Sequence, residues 1–311
     1  MRRAAALLLA ASLAGVPARA ATVYVASQGG AQVAAIDAGS GTLSAKVALP
    51  PNPAVVAAGG GVVCASHPDG RSISVLEGGV SGAEPRRIPV PGQAFGLAVS
   101  RDGRTLYVGD WSGARVLSVE AATGSVRGEA GVGRDPANLV LGPDGRLYVA
   151  DRESRQVSVL DAARMERIGT VPVGEGPFAL GLSPDGRRLY VANVRSDDLS
   201  VIDTATLKAL ARVPVGPSPY GVAVTADGAR VLVTNQYAGT VSVVDTAALE
   251  VVATVKVGGY PEGIAVAGGR AYVANWFSDD VSVIDLASLR ETGRIPVAEG
   301  PRSLAVAEDR P

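Results

Sequence analysis

The chain has 311 residues, 47% of them hydrophobic and 19% charged, with 39 Gly, 20 Pro and a formal net charge of −1. This balance excludes a collagen-like or disordered chain and a strongly basic nucleic-acid binder, and it suits globular structure rich in turns. One His and one Cys leave no material for a catalytic His pair, a His-rich metal site, a haem held by two His or an internal disulfide.

Residues 1–20, MRRAAALLLAASLAGVPARA, read as a secretory signal peptide. They have a basic start (Arg2, Arg3), an apolar run from Ala4 to Val16, and Ala18-Arg19-Ala20 as a small-x-small signal for cleavage after Ala20. That run is too short to span a bilayer, and none later is longer, so a periplasmic or secreted protein without membrane insertion is expected. Removing the segment subtracts three Arg and no acid, leaving 26 basic against 30 acidic residues, a net charge of −4.

The mature chain repeats one unit. KVALP at 46–50, IPVP at 88–91, AGVG at 130–133, VPVG at 171–174 and 213–216, VKVG at 255–258 and IPVA at 295–298 recur at steps of 41, 42, 41, 42, 42 and 40 residues. A period near 41 fits a four-stranded propeller blade and excludes shorter helical and leucine-rich repeats. In the copy at 177–216, ALGLS, RLYVAN, LSVIDT and ALARVPV are β-branched or alternating runs that predict four strands. SPDGRR predicts a tight hairpin between the first two, with Gly186 free to take a positive φ. The first copy begins at its second strand, TVYVAS (22–27), and the missing strand appears at the other end as RSLAVAE (302–308). Pairing the two would close the ring and hide both edges. The expected fold is therefore all-β, one seven-bladed β-propeller over residues 21–311.

The YVAN, SVIDT, SPDGR and VPVG segments resemble the YVTN-family β-propeller repeat proteins over the whole mature chain. That resemblance implies an exported or surface-attached binding module, with nucleic-acid binding and a lactonase-like hydrolase as alternatives.

Two stretches locate the variation. YVANVRSDDLSVIDT (190–204) and YVANWFSDDVSVIDL (272–286) share a frame in which Val194-Arg195 becomes Trp276-Phe277. In propeller topology the turn between strands two and three and the link between blades lie on one face, the top, so the frame is scaffold and the varied pair are loop tips. Five of the thirteen aromatic residues occupy the strand-two Tyr position (Tyr24, Tyr107, Tyr148, Tyr190, Tyr272). The other eight, Phe95, Trp111, Phe178, Tyr220, Tyr237, Tyr260, Trp276 and Phe277, are all expected in top-face loops. Folding does not require aromatic loop tips, so their concentration predicts a binding surface.

Acids outnumber bases in the same loops, which fits a protein, peptide or glycan partner better than single-stranded nucleic acid. A basic sector around Arg134, Arg152, Arg155 and Arg195 is the exception. The entry positions of the innermost strands are Ala54, Phe95, Ala137, Phe178, Tyr220, Glu262 and Arg302, and among them only Glu262 and Arg302 ionise. They lie in neighbouring blades and can pair. The predicted binding residues are Phe95, Trp111, Arg152, Phe178, Arg195, Tyr220, Tyr237, Tyr260, Glu262, Trp276, Phe277 and Arg302.

Catalytic signals are weak. His67 is expected as a solvated turn residue of the second blade, and Cys64 as a buried strand residue with an inert thiol. Asp197-Asp198 and Asp279-Asp280 read as solvated turn acids rather than a calcium site. Asn193, Asn235 and Asn275, with Asp110 and Asp151, recur in a pattern that suits turn-capping hydrogen bonds. No Walker A segment, nucleophile elbow or EF-hand loop is present. The expectation is a monomeric, non-catalytic module without metal or cofactor.

Overall fold

A computed structural model describes residues 21–80 and 84–308; the signal-peptide reading of residues 1–20 falls outside them. Seven sheets, each of four antiparallel strands, form the ring. The predicted closure is present: Pro301–Glu308 pairs with Ala21–Ser27, in the register Val23↔Val306 and Val25↔Leu304, and so becomes the innermost strand of blade 1. Blades 2 to 7 follow in chain order, each running from its innermost strand to its outermost.

Each seam between adjacent blades is packed by its own apolar cluster. The seam between blades 7 and 1 buries Tyr272, Val281 and Val283 against Val23, Val25 and Ile36. The seam between blades 5 and 6 buries Leu199, Val201 and Val213 against Val222, Val231 and Val233. These are alternate residues of strands, so the two-residue period sends one face of each blade to one neighbour and the other face to the next. The strand-two tyrosines fit the same scheme. Tyr148, Tyr190 and Tyr272 are fully buried, and the Tyr272 hydroxyl crosses to Ala38 O at 3.0 Å in the next blade.

A second link crosses the bottom of the seams. The arginine that starts strand two donates to a carbonyl of the next blade: Arg146 to Thr204 O at 2.6 Å, Arg188 to Thr246 O at 2.5 Å, Arg230 to Leu286 O at 2.7 Å and Arg270 to Gly39 O at 3.1 Å. The predicted hairpin has the expected chemistry. Asp185 accepts from Arg187 N at 3.0 Å, and Gly186 has φ +70°.

The repeated Gly and Asn are explained by contact. A Cβ on Gly174, Gly216 or Gly258 would lie 2.5 to 2.7 Å from the side-chain amide carbon of Asn193, Asn235 or Asn275. The asparagine at the end of strand two thus lies flat under the turn that leaves the preceding blade. These asparagines do not cap that turn, as expected, but brace the strand two–three hairpin. Asn193 donates to Asp198 Oδ1 at 2.6 Å and Ser200 Oγ at 2.9 Å, and Asn275 to Asp280 Oδ1 at 2.6 Å and Ser282 Oγ at 2.8 Å. The two aspartates match the capping expectation: Asp110 accepts from Gln93 N at 2.9 Å and Gly113 N at 3.2 Å, and Asp151 accepts from the backbone of Gly133.

Candidate functional site

The shared SDD of the two stretches is structural. Ser196 and Ser278 accept from Glu175 N and Gly259 N, and Asp197 and Asp279 accept from Ser218 N and Gly300 N, at 2.8 to 2.9 Å. Asp198 binds Arg212, and Asp280 faces Arg294 at 3.5 Å. Asp197 and Asp279 tie their turns to the next inter-blade turn while remaining exposed, as expected of turn acids, and Asp198 and Asp280 brace their own blades. The backbone of the varied pair is tied down equally: Val194 N and Arg195 N donate to Gly176 O and Glu175 O, and Trp276 N and Phe277 N to Tyr260 O and Gly259 O. With the main chain fixed, the side chains are free to differ.

The two positions of the pair face different ways. The first (Gln28, Trp111, Arg152, Val194, Gln236 and Trp276) turns toward the channel mouth, where Trp111 lies 4.6 Å from Phe95, Arg152 lies over Phe178 at 5.5 Å, and Gln28 and Gln236 bond Arg302 and Glu262. The second points outward: Arg195 is exposed, and Tyr237 and Phe277 are about three-quarters exposed at 74% and 73%.

Beneath the first positions lies a ring of residues set by a bulge. In six blades the pairing between the innermost strand and strand two slips by one residue at the top, as between Pro177↔Asn193 and Leu180↔Val191, or Pro261↔Asn275 and Ile264↔Val273. A bulge re-aims the side chain it carries. The first extra residue is Phe95, Ala137, Phe178, Tyr220, Glu262 or Arg302. Hence Phe95, Phe178 and Tyr220 belong to strands and not to loops, which corrects their placement. Phe178 and Tyr220 are also buried, because the rings pack on each other, Phe95 to Phe178 at 5.9 Å and Phe178 to Tyr220 at 4.0 Å. Below this plug the channel holds a cavity of about 330 Å³ lined by the innermost strands.

Blades 7 and 1 replace the aromatic ring with charged residues, joined by Gln236 of blade 6 and Gln28 of blade 1. Arg302 donates to Tyr220 Oη and Gln28 Oε1, both at 2.9 Å, and its Nε lies 3.2 Å from Glu262 Oε2. The expected pair therefore forms. Arg302 also lies over Phe95 at 5.5 Å and Trp276 at 5.7 Å. Gln236 donates to Glu262 Oε1 at 3.1 Å and accepts from Ser218 Oγ at 3.0 Å. Burial pushes the Glu262 carboxyl up to about 7, against the opposing pull of Arg302 and the Gln236 bond. Burial opposes the charge on Arg302, but Tyr220 and Glu262 more than offset it and raise its pKa. Burial likewise pushes the Tyr220 hydroxyl up.

Tyr260 joins the plug to the outer surface, 6.0 Å from Tyr237 and 4.8 Å from Phe277. It occupies the left-handed residue of the inter-blade turn, φ +55°, where Asn52, Asp135, Gly176, Ser218 and Gly300 stand in other blades. A bulky side chain there costs about 1 kcal/mol, so folding favours other residues at this position.

Several expectations are revised. His67 is fully buried at the strand-two end position where five other blades carry Asn or Asp and blade 1 carries Ser27. Its Nε2 lies 2.9 Å from Ser74 Oγ and its Nδ1 3.3 Å from Pro51 O. Burial lowers its pKa, with Arg87 adding to the effect and the Pro51 bond opposing it. Half of the basic sector is neutralised, since Arg195 chelates Glu153 and Arg155 meets Glu175 at 2.9 Å, while Arg134 reaches only the Glu153 carbonyl at 3.0 Å. Cys64 is buried in its strand, and burial raises its thiol pKa. Sequence reasoning missed Gln28 and Gln236, which lack aromaticity and charge but occupy the same turn position as Trp111 and Trp276.

The cytochrome D1 heme domain family model matches residues 141–263, from blade 4 to the top of blade 7. No curated protein matches. Among solved structures, a chain of Kuenenia stuttgartiensis hydrazine synthase is 22% identical over 81% of this chain and 89% of that one, with a TM-score of 0.71. A functionally unknown protein from Desulfotomaculum acetoxidans is 14% identical over 93% and 99%, TM-score 0.78. Apo AztD from Citrobacter koseri is 15% identical over 93% and 98%, TM-score 0.65. Among the described residues, the mouth offers a haem no imidazole, thiolate or thioether as axial ligand, and His67 is buried with both ring nitrogens in contact. Its Tyr220 hydroxyl is held by Arg302, and Tyr237 and Tyr260 carry the mouth's other phenolic oxygens. What the chain shares with these proteins is the fold: it is a seven-bladed β-propeller.

Proposed function

We propose that this chain is an exported, monomeric, non-catalytic binding module of the YVTN-like kind, recognising a protein, peptide or glycan partner through the top face. The observation that carries this reading is the ladder Tyr237, Tyr260, Phe277. Two of its rings are mostly exposed, and the third is held at a backbone angle that disfavours it. Rigid aromatic groups on fixed main chain give contact area at low entropic cost, as recognition surfaces require.

The test is affinity capture from native periplasmic extract with the mature protein beside a Tyr237→Ser, Tyr260→Gly, Phe277→Ser variant, read by mass spectrometry. A component retained by the wild type and lost by the variant is expected. Identical capture lists would refute the reading.

Glu262 favours one second reading, a lactonase-like hydrolase. A carboxyl that titrates near neutrality beside an arginine and a tyrosine has the properties of a general acid or base. Lactone turnover that is lost in Glu262→Gln would establish it. Single-stranded nucleic-acid binding is weakened by the pairing of Arg155 and Arg195 with carboxylates.

A further inference from the structure

The mouth carries more positive charge than its fold uses. Arg302 approaches from blade 1 and Arg152 from blade 4. The guanidinium of Arg302 lies over Phe95 and that of Arg152 over Phe178, and these two rings touch. Both positive charges act on the Tyr220 and Tyr260 hydroxyls. Arg302 has three polar partners, but the Arg152 guanidinium donates no hydrogen bond among the described residues. Its one carboxylate neighbour, Glu153 at 3.8 Å, is held by Arg195. The side chains of Arg152 and Arg302 keep 24% and 20% of their surface exposed. Between them the innermost strands bring Ala54, Phe95 and Ala137 to the mouth, and both alanines are fully buried.

From this the geometry points to an anion site on the channel axis: Arg152, Arg302 and the Tyr260 hydroxyl receive the carboxylate of a planar or aromatic acid, with Phe95, Trp111 and Trp276 beside it. The charge count selects the class. With Glu153 matched by Arg195 and Glu262 ionised, the two guanidinium groups leave one positive charge, which a carboxylate neutralises and a phosphate dianion exceeds. Such a carboxylate is supplied either by a free organic acid or by the C-terminus of a peptide lying on the aromatic ladder. The inference deepens the binding reading above and rests on it. Glu262 competes for Arg302. The groups facing it are Arg302, Tyr220, Gln236, Tyr260 and, farther across the mouth, Arg152. Once it is protonated, Arg302 is released to the ligand, so binding tightens as pH falls from 8 to 6.

The experiment is calorimetric titration of the mature protein with benzoate and with the neutral isostere benzamide, at pH 6 and pH 8. Benzoate is expected to bind and benzamide not. Arg152→Gln, which breaks no hydrogen bond of the fold, is expected to weaken benzoate binding by about tenfold or more. Glu262→Gln is expected to bind equally at both pH values. Equal binding of the two probes, no benzoate binding, unchanged affinity in Arg152→Gln, or displacement of benzoate by equimolar inorganic phosphate would each overturn the proposal. N-acetyl-Gly-Phe as free acid and as amide separates the sources: an acid that binds more tightly than benzoate assigns a peptide terminus, and one that binds more weakly assigns a free acid. Captured partners that depend on Tyr237 and Phe277, together with absent benzoate binding, would leave the recognition reading standing and remove this one.

Discussion

The Glu262→Gln substitution tests the electrostatics of the mouth quantitatively. Glu262 is 5% exposed, and burial raises its carboxyl from an ordinary 4.5 to about 7. A group whose folded pKa lies above its unfolded one stabilises the fold fully below pH 4.5, and that contribution is lost as pH rises through 7. Each pH unit of separation corresponds to about 1.4 kcal/mol, so this one group removes on the order of 3 kcal/mol between pH 4.5 and 8. A chain of this size shifts its melting temperature by roughly 2 °C per kcal/mol, which makes the loss about 6 °C. Gln keeps the shape and the contact with Gln236 but does not titrate. Calorimetric melting of both proteins at pH 5 and pH 8 isolates the effect, because all other titrating groups are common to both. The wild type should lose about 5 °C more than the variant between pH 5 and pH 8, since the unfolded chain's carboxyl has already begun to ionise at pH 5. Parallel pH dependences would refute the claim that burial outweighs Arg302 at this carboxyl.

Three further outcomes follow from the packing. Gly258→Ala places a Cβ 2.5 Å from the Asn275 side-chain amide carbon and should cost about 1–3 kcal/mol by urea denaturation, whereas Gly293→Ala, with no neighbour within 4 Å, should cost nothing measurable. Arg230→Ala removes the bond to Leu286 O and should cost about 1–3 kcal/mol, mostly from the carbonyl left without its charged partner. His67→Asn installs the residue that the sister blades use against the serine seven positions on. His67 has a lowered pKa, so its stabilising contribution is present above 6.5 and is lost as pH falls through the folded value. The variant should therefore melt as the wild type does at pH 8 and resist acid better below pH 6.

The architecture was legible in the sequence because a propeller repeats its local chemistry. A 41-residue period, alternating apolar strands and SPDGR turns each specify a strand or hairpin without reference to distant parts of the chain. Ring closure was legible too, since a strand missing at one end and spare at the other has one economical pairing. Part of the mouth was likewise readable, because Glu262, Arg302 and the aromatic residues break the repeat, while Gln28 and Gln236 did not stand out.

Their arrangement was not readable, and the reason is geometric. A one-residue bulge leaves no mark in an alternating run, yet it alone turns Phe95, Phe178, Tyr220, Glu262 and Arg302 onto the axis. The top-turn pairs look equivalent in sequence, but the main-chain bonds that send Trp276 inward and Phe277 outward come from the preceding inter-blade turn. His67 shows the same limit: its neighbours in sequence are those of a loop, while the Ser74 hydroxyl and the Pro51 carbonyl that enclose it are brought there by folding. Sequence by itself determined which strands form, how many blades they make and which residues depart from the repeat. Only the tertiary structure decided which of those residues are buried and which remain exposed, because burial and charge depend on neighbours that the chain supplies from other blades.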